Sequence, residues 1–160
     1  MAVGSAVGGT LDFVKDHNKV ELFYHSTSSW QTKHIYPFYE SIQGFELITL
    51  NNYFILFGGA YKNKQSPGYS ASAIIAKFDP NLNQWTKKGT LQAVRHGLGV
   101  IEFDKKFLVM GGRGDKRSEI CEFGKNETIV CTPREPTMDG FLYYPEMMIV
   151  SSDYDKNCRV

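Results

Sequence analysis

The sequence has almost no excess charge of either sign and no long apolar run. Its 18 Lys and Arg side chains are balanced by 17 Asp and Glu side chains, so the formal net charge of the 160 residues is +1. A nearly neutral chain provides no strong field to attract DNA, RNA or an anionic membrane. Its apolar runs are far shorter than the roughly 18 residues that a membrane-spanning helix needs. We therefore predict neither nucleic-acid binding nor a membrane span.

Sequence motifs of secretion and catalysis are also lacking. The first nine residues have neither a basic segment nor a continuous apolar segment, so we expect either a chain that is not secreted or a missing natural start. The chain has no GxSxG, Walker, HExxH or GxGxxG motif. It has no CxxC pair, and its four histidines are isolated from its three cysteines. We predict a protein that is not an enzyme and that holds no metal or other cofactor.

Glycine and aromatic residues are plentiful. The chain has 15 Gly, 11 Phe, 9 Tyr and 2 Trp, and 42% of its residues are hydrophobic, which is enough to fill a core. Few segments have helical periodicity, whereas short alternating runs bounded by turn residues are common. The predicted strands include 45–50, 53–57, 72–78, 84–87, 99–103 and 106–110. This pattern predicts an all-β fold of short antiparallel strands joined by tight turns.

Two markers recur along the chain at similar intervals. A Gly-Gly pair ends an apolar segment at Gly8-Gly9, Gly58-Gly59 and Gly111-Gly112, so the second glycines are 59 − 9 = 50 and 112 − 59 = 53 residues apart. An aromatic residue is followed seven positions later by tryptophan in the pairs Phe23 with Trp30 and Phe78 with Trp85. A weaker third copy of the second marker is predicted at Phe123, with Val130 in the tryptophan position. A repeat of this length indicates a propeller or a similar array.

These markers, over roughly residues 5–150, resemble the kelch repeat. The resemblance implies β-propeller blades of four antiparallel strands, in which the glycines allow sharp turns and the aromatic residues pack between blades. It assigns these structural roles to Gly58, Gly59, Gly111, Gly112, Trp30, Phe78 and Trp85. The alternative interpretation is an unrelated antiparallel β-sandwich.

The length of the repeat predicts an incomplete ring. Within a propeller segment over 1–150, we assign a partial first blade to 1–40, blades to 41–90 and 91–135, and closing strands to 136–150; residues 151–160 form a tail. Propellers have about four to eight blades, so about three blades cannot close a ring. We therefore expect a companion chain or a further segment to complete the propeller.

Two signals on one predicted hairpin favour an extracellular protein. Cys121 and Cys131 flank the hairpin and can approach closely enough for a disulfide. Asn126 begins an Asn-Glu-Thr glycosylation sequon at its turn. Cys158 then has no evident partner, and we expect it to bond to another segment or chain. The alternative is a cytoplasmic protein with three reduced thiols.

Two polar loops are candidates for partner binding. Arg113, Gly114 and Asp115 form an Arg-Gly-Asp tripeptide after the third diglycine. This tripeptide resembles integrin ligands, and the alternative is an ordinary solvated turn. The longest insertion between strands runs from Lys62 to Gly68 and is followed by Tyr69. Because function on such scaffolds is carried by loops, we predict that these two loops contact a partner.

The resulting functional prediction is a non-catalytic, extracellular protein-binding or structural module. One alternative is a segment of a propeller enzyme, such as an oxidase, whose catalytic residues lie in other blades. Another is an intracellular kelch adaptor that delivers substrates to a ubiquitin ligase.

Overall fold

The computed structural model describes residues 3–4, 20–33, 42–51, 53–62, 68–136 and 145. These residues form β-strands and turns, with one short 3-10 turn at Lys125–Glu127. The strands are β1 (Val3–Gly4), β2 (Val20–Tyr24), β3 (Ser29–Lys33), β4 (Ile42–Gln43), β5 (Glu46–Leu50), β6 (Tyr53–Phe57), β7 (Ala60–Lys62), β8 (Tyr69–Ala71), β9 (Ile74–Asp79), β10 (Gln84–Thr90), β11 (His96–Phe103), β12 (Lys106–Arg113), β13 (Arg117–Phe123) and β14 (Ile129–Pro136). The all-β prediction is confirmed. In the described part of the chain, no helix has the length and apolar character required to cross a membrane.

The strands form three sheets. Strands β1 to β3 form the first sheet, and β4, β7 and β8 form a small inserted sheet. The largest sheet has eight strands and consists of two antiparallel groups of four. We call β5, β6, β9 and β10 the middle unit, and β11 to β14 the last unit. A short parallel pairing of β10 with β14 joins the two units, which makes the eight-stranded sheet mixed.

Tight turns close the first hairpin of each unit, as the sequence predicts. Asn51 has φ 47° in the turn between β5 and β6, and Asp104 and Lys105 have φ 47° and 60° between β11 and β12. Left-handed residues at the centre of a two-residue turn match the twist of the flanking strands. Some strand limits differ from prediction. Strand β11 begins at His96, and β9 begins at Ile74 because Ser72 belongs to the preceding connection, where its N–H donates to Gly59.

The register of the strands shows that the two units are equivalent at an offset of 53 residues in their first hairpins. The last pair before the turn is Leu50 with Tyr53 in the middle unit and Phe103 with Lys106 in the last unit. Phe54 and Phe107 are therefore equivalent residues. Phe54 is paired with Phe78, whereas Phe107 is paired with Cys121.

This register corrects the prediction for the third copy of the aromatic marker. Phe78 is paired with Trp85, and its equivalent Cys121 is paired with Cys131. The cysteine pair thus occupies the place of the aromatic pair, and the predicted assignment to Phe123 and Val130 is wrong. Val130 is paired with Glu122 and is 55% exposed. The assignment failed because nine residues lie between Cys121 and Cys131, whereas six lie between Phe78 and Trp85. The paired strands of the last unit extend one pair further, and their turn has five residues, 124–128, instead of four, 80–83.

The core lies between sheets that stack face to face. On one side of the middle unit, Phe54 and Phe78 pack with the fully buried Leu22 of the first sheet. On its other side, buried residues of the middle unit pack with buried residues of the last unit. This cluster consists of Ile55, Phe57, Ile75, Leu91, Leu98, Val100, Phe107, Val109, Cys121, Ile129 and Cys131. The order of the stack is therefore first sheet, middle unit, last unit.

The two tryptophans differ in their packing. Trp85 lies with its ring centroid 5.0 Å from that of Phe78 and packs against two clusters, one shared with Leu22 of the first sheet and one shared with Ile42 of the inserted sheet. Trp30 stacks 5.2 Å from Phe23 but is 57% exposed. The expected packing between sheets thus applies to Trp85 and not to Trp30, because no sheet within the described residues covers that face of the first sheet.

Candidate functional site

The two ends of the stacked sheets carry different kinds of connection. One end has the hairpin turns that include Asn51, 80–83, 104–105 and 124–128, and we call it the turn end. The opposite end has residues 58–59 after β6, residues 72–73 before β9, and the connections 91–95 and 114–116, and we call it the connection end. Connections on a rigid scaffold commonly carry binding residues. The Arg-Gly-Asp tripeptide lies at the connection end, and the strands that flank the second predicted loop, β7 and β8, lie between β6 and β9 in the chain.

The glycine pairs allow the connections to pass close to the sheets. Gly58 has φ +62°, and a Cβ atom on it would lie 2.6 Å from the carbonyl oxygen of Arg95. Gly112 has φ +83°, and a Cβ atom there would lie 2.8 Å from the carbonyl oxygen of His96. A residue with a side chain would be strained at both positions. These contacts agree with the close packing that the sequence analysis assigned to the diglycines.

A buried ion pair holds the 91–95 connection in place. Arg95 is fully buried, and its Nη2 lies 2.8 Å from Oε1 of Glu119, which is also fully buried. The Nη1 group of Arg95 donates to the carbonyl oxygens of Gly111 and Arg117. The second carboxylate oxygen of Glu119 accepts a hydrogen bond from the backbone N–H of Gln92 at 2.7 Å. These additional hydrogen bonds offset much of the cost of burying the charge pair, although the Nε of Arg95 has no hydrogen-bond partner among the described residues.

The main chain of Arg95 connects this pair to the middle unit. Its N–H donates to Ser72 at 3.1 Å, and its carbonyl oxygen accepts from Gly59 at 2.9 Å. Arg95 therefore links the middle unit through its backbone and the last unit through its side chain. The sequence analysis missed this residue and Glu119. The only available signal was that Glu119 stands in a strand whose neighbours Ile120 and Cys121 are apolar.

The Arg-Gly-Asp tripeptide forms a structured turn. Arg113 is the last residue of β12, and Gly114 and Asp115 follow in the connection. The Asp115 carboxylate accepts hydrogen bonds from the backbone N–H, the Nε and the Nη2 of Arg117. Hydrogen bonds from Arg117 are the largest cause lowering the pKa of Asp115 to about 2. Because the Asp115 side chain is only 15% exposed and bound within the turn, this arrangement favours the solvated-turn alternative over an integrin ligand.

Among the described residues, exposed cationic side chains cluster at the connection end. Arg113, Lys116 and Arg117 are exposed there. Asp115 forms an ion pair with Arg117, and the exposed Glu135 also acts electrostatically on this arginine. Burial, and secondarily the charge of Arg113, lowers the pKa of His96, so its imidazole is neutral at neutral pH. Together with the half-exposed Val94, these side chains form a surface suited to carboxylates on a partner. We call Val94, Arg113, Lys116 and Arg117 the cationic surface.

The second predicted loop begins and ends in paired strands. Lys62 is the last residue of β7, Tyr69 is the first residue of β8, and the two are paired across the hairpin. Burial raises the pKa of the partly buried Tyr69. Residues 63–67 of this insertion lie outside the described residues, as do Gly8, Gly9, the predicted strands after 136 and Cys158.

The cysteine pair and the sequon lie in the last hairpin. The Sγ atoms of Cys121 and Cys131 are at bonding distance, 2.04 Å, which agrees with the predicted disulfide. Asn126 is exposed in the turn between β13 and β14, with φ 55°. A glycan there would lie at the turn end and would leave the connection end accessible.

The cysteines and Glu119 form a compact cluster without an open set of metal ligands. Among the described residues, the ligand atoms of Glu119, Cys121 and Cys131 lie within 4.8 Å of one another. Both sulfurs belong to the disulfide, and both oxygens of Glu119 already accept hydrogen bonds. A thiolate is the form of cysteine that binds metal, so this group cannot bind a metal in the disulfide state.

Comparisons with known proteins show a likeness in fold. No protein-family model matches the sequence, and no curated protein matches it. Among solved structures, a match is described as the structure of YjhT, with a TM-score of 0.59 and 12% sequence identity. The match covers 74% of this chain and 45% of the other, so the chain spans less than half the length of that protein.

Proposed function

We propose that the chain forms blades of a kelch-type β-propeller. In this proposal the middle and last units are two four-stranded blades, the first sheet belongs to another blade, and a companion chain or segment completes the ring. The equivalent register of the two units and their face-to-face stacking support the proposal. The glycine pairs at the same place in both units support it further.

We propose further that this propeller segment is a non-catalytic module that binds a protein partner through the connection end. The observation that carries this proposal is the cationic surface, which the buried Arg95 and Glu119 pair supports from beneath. An exposed surface rich in cationic side chains can select an acidic partner by electrostatic complementarity.

The location proposed for the module is extracellular. A disulfide between the buried Cys121 and Cys131 persists in an oxidising compartment. An exposed sequon such as that of Asn126 is glycosylated only in the secretory pathway. The test is to secrete the chain from eukaryotic cells and to measure its intact mass before and after reduction and deglycosylation. We expect two hydrogens to be gained on reduction, and a glycan that the Asn126→Gln variant lacks. Free cysteines and an unmodified Asn126 would instead favour the intracellular adaptor.

Partner binding is tested by reversing charge at one end of the sheets at a time. We expect Arg113→Glu with Lys116→Glu to abolish capture of secreted partner proteins, measured by quantitative mass spectrometry. The matched control is Lys105→Glu with Lys125→Glu, which makes the same change in charge at exposed residues of the turn end. If both double variants capture the same proteins as the unmodified chain, the connection end is not the binding surface.

A further inference from the structure

The last hairpin carries an aromatic ring that the core buries only in part. Phe123 ends β13 and is 42% exposed, although its ring centroid lies 5.6 Å from that of the fully buried Phe107. Contact with Phe107 fixes one side of the ring, and the remainder is exposed to solvent. The position of the ring is therefore set by the core, while much of its surface remains available to a ligand with an apolar face.

The sequon begins three residues after this ring, in the turn of the same hairpin. Asn126 is exposed and starts the only Asn-x-Ser or Asn-x-Thr triplet in the 160 residues. Three residues span at most about 10 Å, even when the chain is fully extended. Here the chain reverses direction, because the N–H of Gly124 donates to the carbonyl oxygen of Thr128 and the N–H of Thr128 donates to that of Lys125. A sugar linked to the Asn126 amide therefore starts within reach of the Phe123 ring.

Ion pairs hold this turn against the middle unit. Glu127 has φ 55°, a conformation that residues with a side chain rarely adopt. Its carboxylate pairs with Lys77 at 3.2 Å and with Lys88 at 2.9 Å, and both lysines lie on strands of the middle unit. Because Glu127 directly follows Asn126, these contacts fix the turn next to the glycosylation site. The ring and the asparagine thus keep a defined spacing.

We propose that the first N-acetylglucosamine of a glycan on Asn126 packs its apolar face on the ring of Phe123 and stabilises the last hairpin. The inference rests on the proposed extracellular location, in which Asn126 is glycosylated. The C–H groups on one face of this sugar match the negative face of an aromatic ring. Stacking also removes apolar surface of Phe123 from water. The favoured occupant of the exposed ring is therefore a group attached to this chain itself.

A second exposed apolar residue of the hairpin allows an internal comparison. Phe123 is paired with Ile129, so these two side chains lie on the same face of the hairpin. Val130 follows Ile129 and points to the opposite face, where it is 55% exposed. A sugar that covers Phe123 therefore leaves Val130 exposed, and substitutions at the two positions distinguish the two faces.

The test measures whether the sugar and the ring stabilise the fold together. The full 160-residue chain is secreted from cells that attach high-mannose glycans, and endoglycosidase H trims the glycan to a single N-acetylglucosamine. Its stability in urea denaturation is compared with that of the same chain made in a host that does not glycosylate it. We expect the single sugar to raise the folding equilibrium constant about fivefold, the factor that removing about 40 Å² of apolar surface from water provides.

The dependence of this effect on the ring is measured in variants. In Phe123→Ser the sugar should change the folding equilibrium constant less than about twofold, because the surface on which it packs is missing. Phe123→Tyr should retain the effect. Val130→Ser is the matched control, since it removes an exposed apolar side chain from the same hairpin and should leave the effect of the sugar unchanged.

A direct measurement applies even if a variant fails to fold. In the trimmed chain without substitutions, we expect nuclear Overhauser contacts between the protons of the sugar and those of the Phe123 ring. Contacts with Val130 instead would place the sugar on the opposite face and would overturn the proposal.

Two further results would overturn the proposal in different ways. A sugar that stabilises Phe123→Ser as much as the original chain would show that the ring does not receive the glycan, and the extracellular location would stand. A secreted chain with an unmodified Asn126 would overturn the inference together with the support that the sequon gives to that location. Capture of partners through Arg113 and Lys116 is a separate measurement and is unaffected by either result.

Discussion

At the scale of single residues, Asp115 shows that the fold can partly bury a residue that a sequence motif predicts to be available for binding. The Arg-Gly-Asp tripeptide predicts an exposed aspartate that a receptor could bind. In the structure, the Asp115 carboxylate accepts three hydrogen bonds from the side chain of Arg117 and one from its backbone N–H. Arg117 is two positions further along the chain. The residue therefore stabilises its own turn, whereas the exposed Arg113 and Lys116 belong to the surface that we propose for partner binding.

The first prediction concerns the pH dependence of this turn. The pKa of Asp115 is lowered from 3.8 to about 2, so the carboxylate stabilises the fold above pH 3.8 and this contribution is lost as the pH falls toward 2. We expect Asp115→Asn to reduce the free energy of unfolding by about 0.5 kcal/mol at pH 7, the typical size of a partly exposed ion pair. The difference between variant and unmodified chain should disappear near pH 2, as measured by urea denaturation.

The control for this prediction is the partner residue. Arg117→Gln should cost a similar amount at pH 7, and combining it with Asp115→Asn should cost little more, because the two changes remove the same interaction. Fully additive effects of the two substitutions would show that the ion pair does not stabilise the turn.

At the scale of elements, the hairpin of β13 and β14 replaces an aromatic pair with a covalent bond. Cys121 and Cys131 occupy the places of Phe78 and Trp85 in the register of the two units. Both pairs join the third and fourth strands of a unit; Phe78, Cys121 and Cys131 are buried, and Trp85 is partly buried. The disulfide thus supplies, through a constraint on the unfolded chain, stabilisation that ring packing supplies in the middle unit.

The second prediction is that this disulfide stabilises the last unit. The cysteines are separated by 10 residues, and closing a loop of that size contributes about 2–3 kcal/mol. We expect Cys121→Ala with Cys131→Ala to lower the free energy of unfolding by at least this amount in guanidinium denaturation. Reducing agent should destabilise the unmodified chain and have no effect on the double variant. An unmodified chain that is insensitive to reductant would contradict the prediction.

The third prediction concerns the parallel pairing that joins the two units. Gly89 lies opposite Ile129, and a Cβ atom on Gly89 would lie 2.1 Å from the carbonyl oxygen of Ile129. We expect Gly89→Ala to separate β10 from β14 locally and to destabilise the fold by about 1–3 kcal/mol. Hydrogen exchange should increase at Thr90 and Val130.

Gly124→Ala is the matched control for this substitution. A Cβ atom on Gly124 has its nearest neighbour at 3.1 Å, the side-chain oxygen of Thr128. We expect a smaller loss of stability and no change in exchange at the pairing of β10 with β14. Equal effects of the two alanine substitutions would show that the close approach at Gly89 is unimportant.

At the scale of the whole molecule, Arg95 couples the middle unit to the last unit. Its backbone is hydrogen-bonded to Ser72 and Gly59. Its side chain donates hydrogen bonds to Gly111, Arg117 and Glu119. The same connection lies beneath the cationic surface. Disturbing this residue should therefore affect the cooperativity of unfolding and the geometry of the proposed binding surface together.

The fourth prediction tests this coupling. We expect Glu119→Leu to destabilise the fold by about 3–5 kcal/mol, because it leaves the charge of Arg95 buried and unpaired. Arg95→Met combined with Glu119→Leu should recover much of the loss, since no unpaired charge remains. The measurement is guanidinium denaturation followed by fluorescence and by circular dichroism. If the single variant is no less stable than the double variant, the ion pair does not hold the connection in place.

Much of the local architecture could be predicted from the sequence, and the errors have a common cause. Alternating residues and turn signals predicted the hairpin that ends at Leu50 and Tyr53, and the cysteine spacing predicted the pair at Cys121 and Cys131. The spacing of residues misassigned Phe123 and Val130, because the strands of this hairpin are one pair longer and its turn is one residue longer than in the middle unit. It missed the pair of Arg95 with Glu119, which are 24 residues apart.

The sequence alone determined the all-β class, the tight turns, the places of the glycine pairs and the partnership of two cysteines. These features depend on backbone preferences and on residues that are neighbours along the chain. Only the tertiary structure decided that Cys121 and Cys131 replace an aromatic pair, that Asp115 is bound by Arg117, and that Trp30 is exposed while Trp85 is packed. These outcomes depend on strand register and on which sheet covers which face, and both are set by contacts between residues distant in the chain.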